Sequence, residues 1–164
     1  MTPCRVVHNC PDSTYTLGNY TDGRYCLKVI PKWSDDTEMV ITNPYEMANQ
    51  YCLDQTGGYL ASIHSAAENN AINALQKKLD ATSTGAMICL VANSSTITDT
   101  DEIYWLDGTD VSYTNYGANF TSDSFTYTLL TTNGQWQSVF DPTGSMFKYI
   151  ACKKSATATL SPIY

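Results

Sequence analysis

The side chains able to do chemistry in this sequence are few. Six cysteines lead them, at Cys4, Cys10, Cys26, Cys52, Cys89 and Cys152. An even number spread from end to end reads as disulfide chemistry, with the pairing left open by spacing alone. Zinc is disfavoured, because no two cysteines form a C-x-x-C pair and His8 and His64 lie far apart, whereas zinc sites gather ligands in close pairs. Three N-x-[ST] triplets make Asn19, Asn93 and Asn119 glycosylation candidates. Together with the cysteines they point to a secreted, extracellular protein. Met1-Thr2-Pro3-Cys4 has neither a basic start nor an apolar stretch, so Met1 reads as the start of a mature chain. For catalysis there is no G-x-S-x-G elbow, no H-E-x-x-H and no phosphate loop. The acid pairs Asp35-Asp36 and Asp101-Glu102 read as solvated loops, and the expectation is a protein that is not an enzyme.

The elements that must position these residues fit one domain. A length of 164 residues with 43% hydrophobic and 15% charged residues suffices to bury about 68–70% of the unfolded surface. No stretch approaches the ~20 apolar residues of a membrane span. A net charge of −7 and a sequence pI near 4.5 repel phosphate backbones and anionic lipid, so no nucleic-acid partner is expected.

The first forty residues are loop-rich and strand-like, with a β-prone run at Arg24–Ile30 after the Thr21-Asp22-Gly23 turn. A first helix starts at Asn43-Pro44-Tyr45-Glu46, with Asn43 as cap, Pro44 in the first helical position and Glu46 closing a capping box. Met47, Ala48, Tyr51 and Cys52 form its inner face, and Gly57-Gly58 ends it. A second helix opens on the capping box Ser65-Ala66-Ala67-Glu68. Its inner face is Ile72, Leu75, Gln76 and Leu79, with Lys77 and Lys78 near its C-terminus. Short strands follow at 86–91, 103–106, 125–130, 135–139 and 148–152. Ser155 to Tyr164 reads as a frayed tail or linker stub. Two helices followed by several short strands make an α+β domain.

Beyond periodicity, the residues resemble a known family, the long-form C-type lectin-like domains. The similarity is carried by Cys10-Pro11 and Cys26, by Ala48 and Cys52, and by Gly57-Gly58-Tyr59-Leu60-Ala61-Ser62-Ile63-His64-Ser65 followed by Glu68-Asn69. It continues through Met87-Ile88-Cys89-Leu90, Trp105-Leu106-Asp107-Gly108-Thr109, Tyr113-Thr114-Asn115-Tyr116, Gly134-Gln135-Trp136 and Cys152-Lys153. Residues 10–154 are covered, leaving 1–9 as an N-terminal extension and 155–164 as a tail. The texture is most similar to that of secreted nematode members.

The resemblance implies disulfides Cys10–Cys26 and Cys52–Cys152. It leaves three dispositions open for the remaining pair: a Cys4–Cys89 bridge, a bridge from Cys4 to a second chain, and a buried thiol at Cys89. It makes His64 a packing or capping residue, Asp107 a turn residue and Trp136 a core residue.

In this family calcium is held by an E-P-N or Q-P-D triplet in the long loop and a W-N-D triplet on a later strand. Here the second triplet reads Trp136-Gln137-Ser138. The segment after Asn115-Tyr116 reads Gly117-Ala118-Asn119-Phe120-Thr121-Ser122-Asp123, with no proline and no acid–proline–amide triplet. Calcium wants six to eight oxygen ligands, several of them charged, and only Asp110, Asp123 and Asp141 are near. No calcium or other cofactor is therefore expected. What the region offers is aromatic: Tyr113, Tyr116, Phe120, Phe125 and Tyr127, with one or two rings expected at the surface.

The resemblance thus implies a non-catalytic recognition domain for a glycan or glycoprotein. The expected contacts are Tyr113, Asn115, Tyr116, Asn119, Phe120, Asp123, Gln135, Gln137 and Ser138. The alternatives are a protein-binding module, as a homodimer through Cys4, and ice binding through the threonine-rich stretches near 95–100 and 126–132.

Overall fold

A computed structural model describes residues 4–34, 44–92, 103–118, 120, 126–140 and 147–163. The capping role of Asn43, the sequons at Asn93 and Asn119, and Asp123, Phe125 and Asp141 fall outside them.

The N-terminal strand β1 (Cys4–Asn9) is followed by a hairpin of β2 (Thr16–Tyr20) and β3 (Gly23–Pro31). Helix α1 (Pro44–Thr56) comes next. It ends where expected, because Gly57 at φ 71° takes the left-handed conformation and its N–H closes on the Leu53 carbonyl at 2.9 Å. Ala48 and Cys52 are fully buried on its inner face.

A short strand β4 (Tyr59–Leu60) leads into helix α2 (Ala66–Asp80). The remaining strands are β5 (Ala86–Met87), β6 (Leu90–Ala92), β7 (Ile103–Trp105), β8 (Thr126–Leu130), β9 (Trp136–Phe140), β10 (Tyr149–Ser155) and β11 (Thr157–Pro162). The central sheet runs β2-β3-β10-β5-β8-β9, with β4 also paired to β10. Its pairs are antiparallel except β10 with β5, and β6–β7 forms a separate ladder. The α+β, C-type lectin-like expectation is met, with Leu27, Ile72, Met87, Leu90, Trp105 and Trp136 among the fully buried side chains.

Cys10–Cys26 and Cys52–Cys152 are bonded. Cys4 lies at the surface and Cys89 in the core, outside both bridges, so the Cys4–Cys89 disulfide does not form. The stretch expected to fray instead supplies β11, which pairs with β1 from Asn9–Thr157 to Cys4–Pro162. β11 alternates polar and apolar residues, and the register sets its Leu160 against Val6 of β1, a match no single-strand reading reveals.

The inner face of α2 differs from the apolar stripe expected. Leu79 is 51% exposed, while Glu68, Asn69, Asn73 and Gln76 are buried beside Ile72. The polar groups are tolerated because they are hydrogen-bonded. Gln76 Nε2 donates to the carbonyls of Leu130 and Thr131, both at 3.0 Å, and Asn73 Nδ2 donates to that of Thr132. Helix α2 therefore grips the end of β8 and the turn that leads into β9.

Candidate functional site

The expected ligand face is built around Trp136. Its indole N–H donates to Asn69 Oδ1 at 2.8 Å, and the Asn69 amide donates to the Gly134 carbonyl at 2.9 Å. The Asn115 amide donates to the same carbonyl at 2.6 Å. The Trp136 N–H donates to the Asn115 carbonyl at 2.8 Å, and the Trp136 carbonyl accepts from Gly117 N at 2.7 Å. Segment 115–117 is thus laced to the start of β9, with Gly134 at φ 90° closing the turn between β8 and β9.

Four of the expected contacts take part in this scaffold. Phe120 is 4% exposed and stacks on Tyr116 at 4.4 Å between ring centroids. Tyr113 and Tyr116, both half-buried, each meet Trp136 edge-on at 5.7 Å. Asn115 spends its amide on the turn. Tyr127 is also buried. The indole holds Tyr113 and Tyr116 edge-on with part of each ring left accessible, while Phe120 packs on Tyr116 and Tyr127 packs against Tyr45 and Phe147. Asn115→Ala should cost about 0.5–1.5 kcal/mol by removing one of the two donors on the Gly134 carbonyl, which keeps Asn69. Urea denaturation checks this, and an unchanged midpoint would remove Asn115 from the scaffold.

The other described contacts lie on β9 and the turn before it. Gln135 is exposed, and Gln137 and Ser138 are half-buried. Gln137 borders a depression of about 350 Å³ with Thr84, Thr131, Thr132 and Asn133. Thr131 and Thr132 are legible in the sequence within the threonine-rich stretch near 126–132, whereas Thr84 and Asn133 carry no signal of a binding surface. Asp123 and Asn119 lie outside the described residues.

Among the described residues at the family's calcium position, Gln137 and Ser138 offer neutral oxygens, the Asn115 amide nitrogen donates to the Gly134 carbonyl, and no group of three or more His, Cys, Asp and Glu converges.

A second polar cluster, unforeseen from sequence, lies beneath the N-terminus of α2. Ser65 Oγ accepts from Glu68 N at 3.2 Å, as a capping box requires. The Glu68 carboxylate, however, accepts from His64 N at 2.7 Å, one residue before the cap, and its other oxygen meets Lys153 Nζ at 2.6 Å. His64 is buried against Trp105, with Nε2 at 3.1 Å from both Ser62 Oγ and Thr109 Oγ1. Ser62, His64 and Asp107 are nonetheless not arranged as an activated nucleophile. The Ser62 hydroxyl donates to Asp107 and is buried, so the carboxylate holds the serine rather than orienting the imidazole.

Asp107 keeps its turn role, accepting from Thr109 N at 3.0 Å. Partial burial pushes its carboxyl up, but hydrogen bonds from Ser62 and Thr109 outweigh this and hold it below the ordinary aspartate range. Because the folded state binds this proton less tightly than the unfolded state, the contribution is complete above about pH 4 and is lost as pH falls through the folded value. Asp107→Asn should therefore flatten the acid limb of the stability–pH curve, measured by denaturation between pH 2 and 6 (roughly the window in which aspartates titrate). An unchanged limb would show that other carboxylates set it.

A chain tied by two disulfides, with α2 gripping a hairpin and a long segment laced to it, has the framework of a lectin-type recognition fold. Residues 41–154 match the family model described as lectin C-type domain. The chain belongs to the C-type lectin domain family. Its structure is similar to that of human lithostathine, at 21% identity over 89% of this chain and 99% of that one, with a TM-score of 0.61. A calcium-independent type II antifreeze protein matches at 22% identity over 92% and 98%, with a TM-score of 0.61. The C-type lectin CEL-I from Cucumaria echinata matches at 17% identity over 94% and 100%, with a TM-score of 0.57. At these identities the likeness is one of fold. No curated protein matches the chain by sequence. No helix among the described residues is long and apolar enough to cross a membrane.

Proposed function

We propose that this domain is a secreted, non-catalytic recognition module that binds a glycan or glycoprotein without calcium, through β9 and the turn before it. The observation that carries the reading is the set of neutral donors and acceptors, Thr84, Thr132, Asn133 and Gln137, around one depression, with Gln135 exposed beside it on the same turn. Amides and hydroxyls of this kind satisfy sugar hydroxyls directly, with no cation to share. Helix α2 fixes the turn, so little ordering entropy is lost on binding. The two disulfides support an oxidising, extracellular setting. The likeness to a calcium-independent type II antifreeze protein supports the idea that the fold can work without the ion.

The test is a glycan-array scan run in calcium and in EDTA, with the protein and its Gln137→Ala variant. Binding should persist in EDTA and fall up to about tenfold in the variant, the range of one hydrogen bond. Binding lost in EDTA would overturn the calcium-free reading, and no binding in either buffer would overturn the glycan reading.

A second reading, a protein-binding module dimerising through Cys4, is favoured by the β1–β11 ribbon. There Val6 and Leu160 face each other at 57% and 75% exposure. Non-reducing electrophoresis and light scattering separate a covalent dimer from a monomer.

A further inference from the structure

On the side of the molecule formed by α1 and β4, a cavity of about 420 Å³ is lined by Tyr45, Glu46, Asn49, Tyr59, Cys89, Leu106 and Asp107. None of these residues belongs to the β9 face. We propose that this cavity binds an organic cation of the alkylammonium type.

Three features of the lining select that chemistry. The first is aromatic and aliphatic wall. Tyr59 is 55% exposed, Leu106 is 44% exposed, and the Tyr45 ring is fixed because its hydroxyl donates to the Leu90 carbonyl at 2.8 Å. Tyrosine faces attract cations through the ring quadrupole and accommodate the methylenes beside the charge. The second is sign. The cavity is lined by two acids, Glu46 and Asp107, the second already accepting hydrogen bonds from Ser62 and Thr109, and by no lysine, arginine or histidine. An anion would meet repulsion, whereas a cation gains attraction in a partly water-excluded space. The third is the floor. Cys89 is buried, and burial together with the Asp107 charge pushes its thiol up to about 12. It stays a neutral, soft apolar surface and supplies no thiolate to a metal.

The cavity volume falls in the range of small-molecule sites. Asn49 adds no competing acceptor at its side-chain oxygen, which already takes Leu60 N at 2.9 Å. The net charge of −7 raises the encounter rate of any cation with this surface. The same ammonium chemistry has two sources, a free quaternary amine and the lysine side chain of a protein.

The experiment is an amide-resolved NMR titration of the whole chain with three probes. These are choline, N-acetyl-lysine methylamide and 3,3-dimethylbutan-1-ol, the uncharged isostere of choline. Saturable shifts confined to residues around Tyr45, Tyr59, Cys89 and Leu106 are expected from at least one cation. The alcohol should bind about tenfold more weakly, since it loses both the cation–π and the Coulombic contribution. Tyr59→Ala should weaken the cation about two- to fivefold. Leu106→Lys, which places an ammonium at the cavity wall from a surface position, should abolish saturation while leaving the rest of the spectrum unchanged. Tighter binding of the quaternary amine assigns the site to a free ligand, and tighter binding of the lysine derivative assigns it to a protein side chain. Equal affinity for the alcohol, shifts scattered over the acidic surface without saturation, or unchanged binding by the Leu106→Lys variant would each overturn the proposal.

Discussion

Removing the Cys52–Cys152 disulfide by the double substitution Cys52→Ala/Cys152→Ala is expected to destabilise the domain by about 4.7 kcal/mol, the chain-entropy value for a loop of about 100 residues. The bridge spans 100 positions, joining the inner face of α1 to β10 at the centre of the sheet. Both cysteines are buried. Without the bridge the unfolded chain regains the freedom of nearly two-thirds of its length, while the folded state loses only two small sulfurs from a packed core. Against the roughly 5–15 kcal/mol available to an ordinary domain, this loss removes a third or more of the total. The midpoint in guanidinium should fall by about 1 M, given the slopes usual for small proteins. Cys10→Ala/Cys26→Ala, spanning 16 positions, should cost about 3 kcal/mol on the same model. Equal losses for the two pairs would show that local packing, not loop length, governs both bridges.

The fold can be read from the sequence where local chemistry and tertiary role coincide. Gly57 is legible as a helix end because only a left-handed residue closes that turn, and Ser65 as a cap because its hydroxyl meets Glu68 N directly. The disulfides and the role of Trp136 come through family resemblance, since spacing alone leaves the pairing open. What stays hidden depends on partners distant in sequence. Gln76 is legible as inward-facing from its spacing, but Asn69 and Asn73 look like a solvated helix face until the β8–β9 turn, more than fifty residues later, presents carbonyls to them. Leu79 looks like core by its spacing, yet the helix is rotated to bring those amides inward. Phe120 and Tyr116 look like ligand contacts by residue type, and the packing of Phe120 on Tyr116, and of Tyr116 on the Trp136 indole, is not visible in the sequence. Strand β11 exists because β1 is there to pair with it.

The same long-range logic makes the Glu68–Lys153 pair the most sensitive polar contact. Glu68 is fully buried and the Lys153 side chain is 9% exposed. Lys153 Nζ lies 2.6 Å from Glu68 Oε1, 3.1 Å from Asp22 Oδ2 and 4.1 Å above the Tyr25 ring. It also donates to the Ser62 carbonyl at 3.3 Å. Each charge is tolerated only because the other is there, so removing one leaves its partner without compensation at a cost of about 3–5 kcal/mol. The two single substitutions should differ. In Glu68→Gln the lysine keeps Asp22, and glutamine retains an acceptor for His64 N. In Lys153→Met the buried carboxylate keeps only that one backbone donor. Lys153→Met should therefore be the worse of the two. The double variant Glu68→Gln/Lys153→Met leaves no buried charge at the pair and should recover much of the loss, giving a coupling energy of about 2–3 kcal/mol in the cycle. Urea denaturation of the four proteins measures it. Strictly additive single losses would mean that Lys153 is held by Asp22 and Tyr25 alone and that Glu68 acts only as the cap of α2.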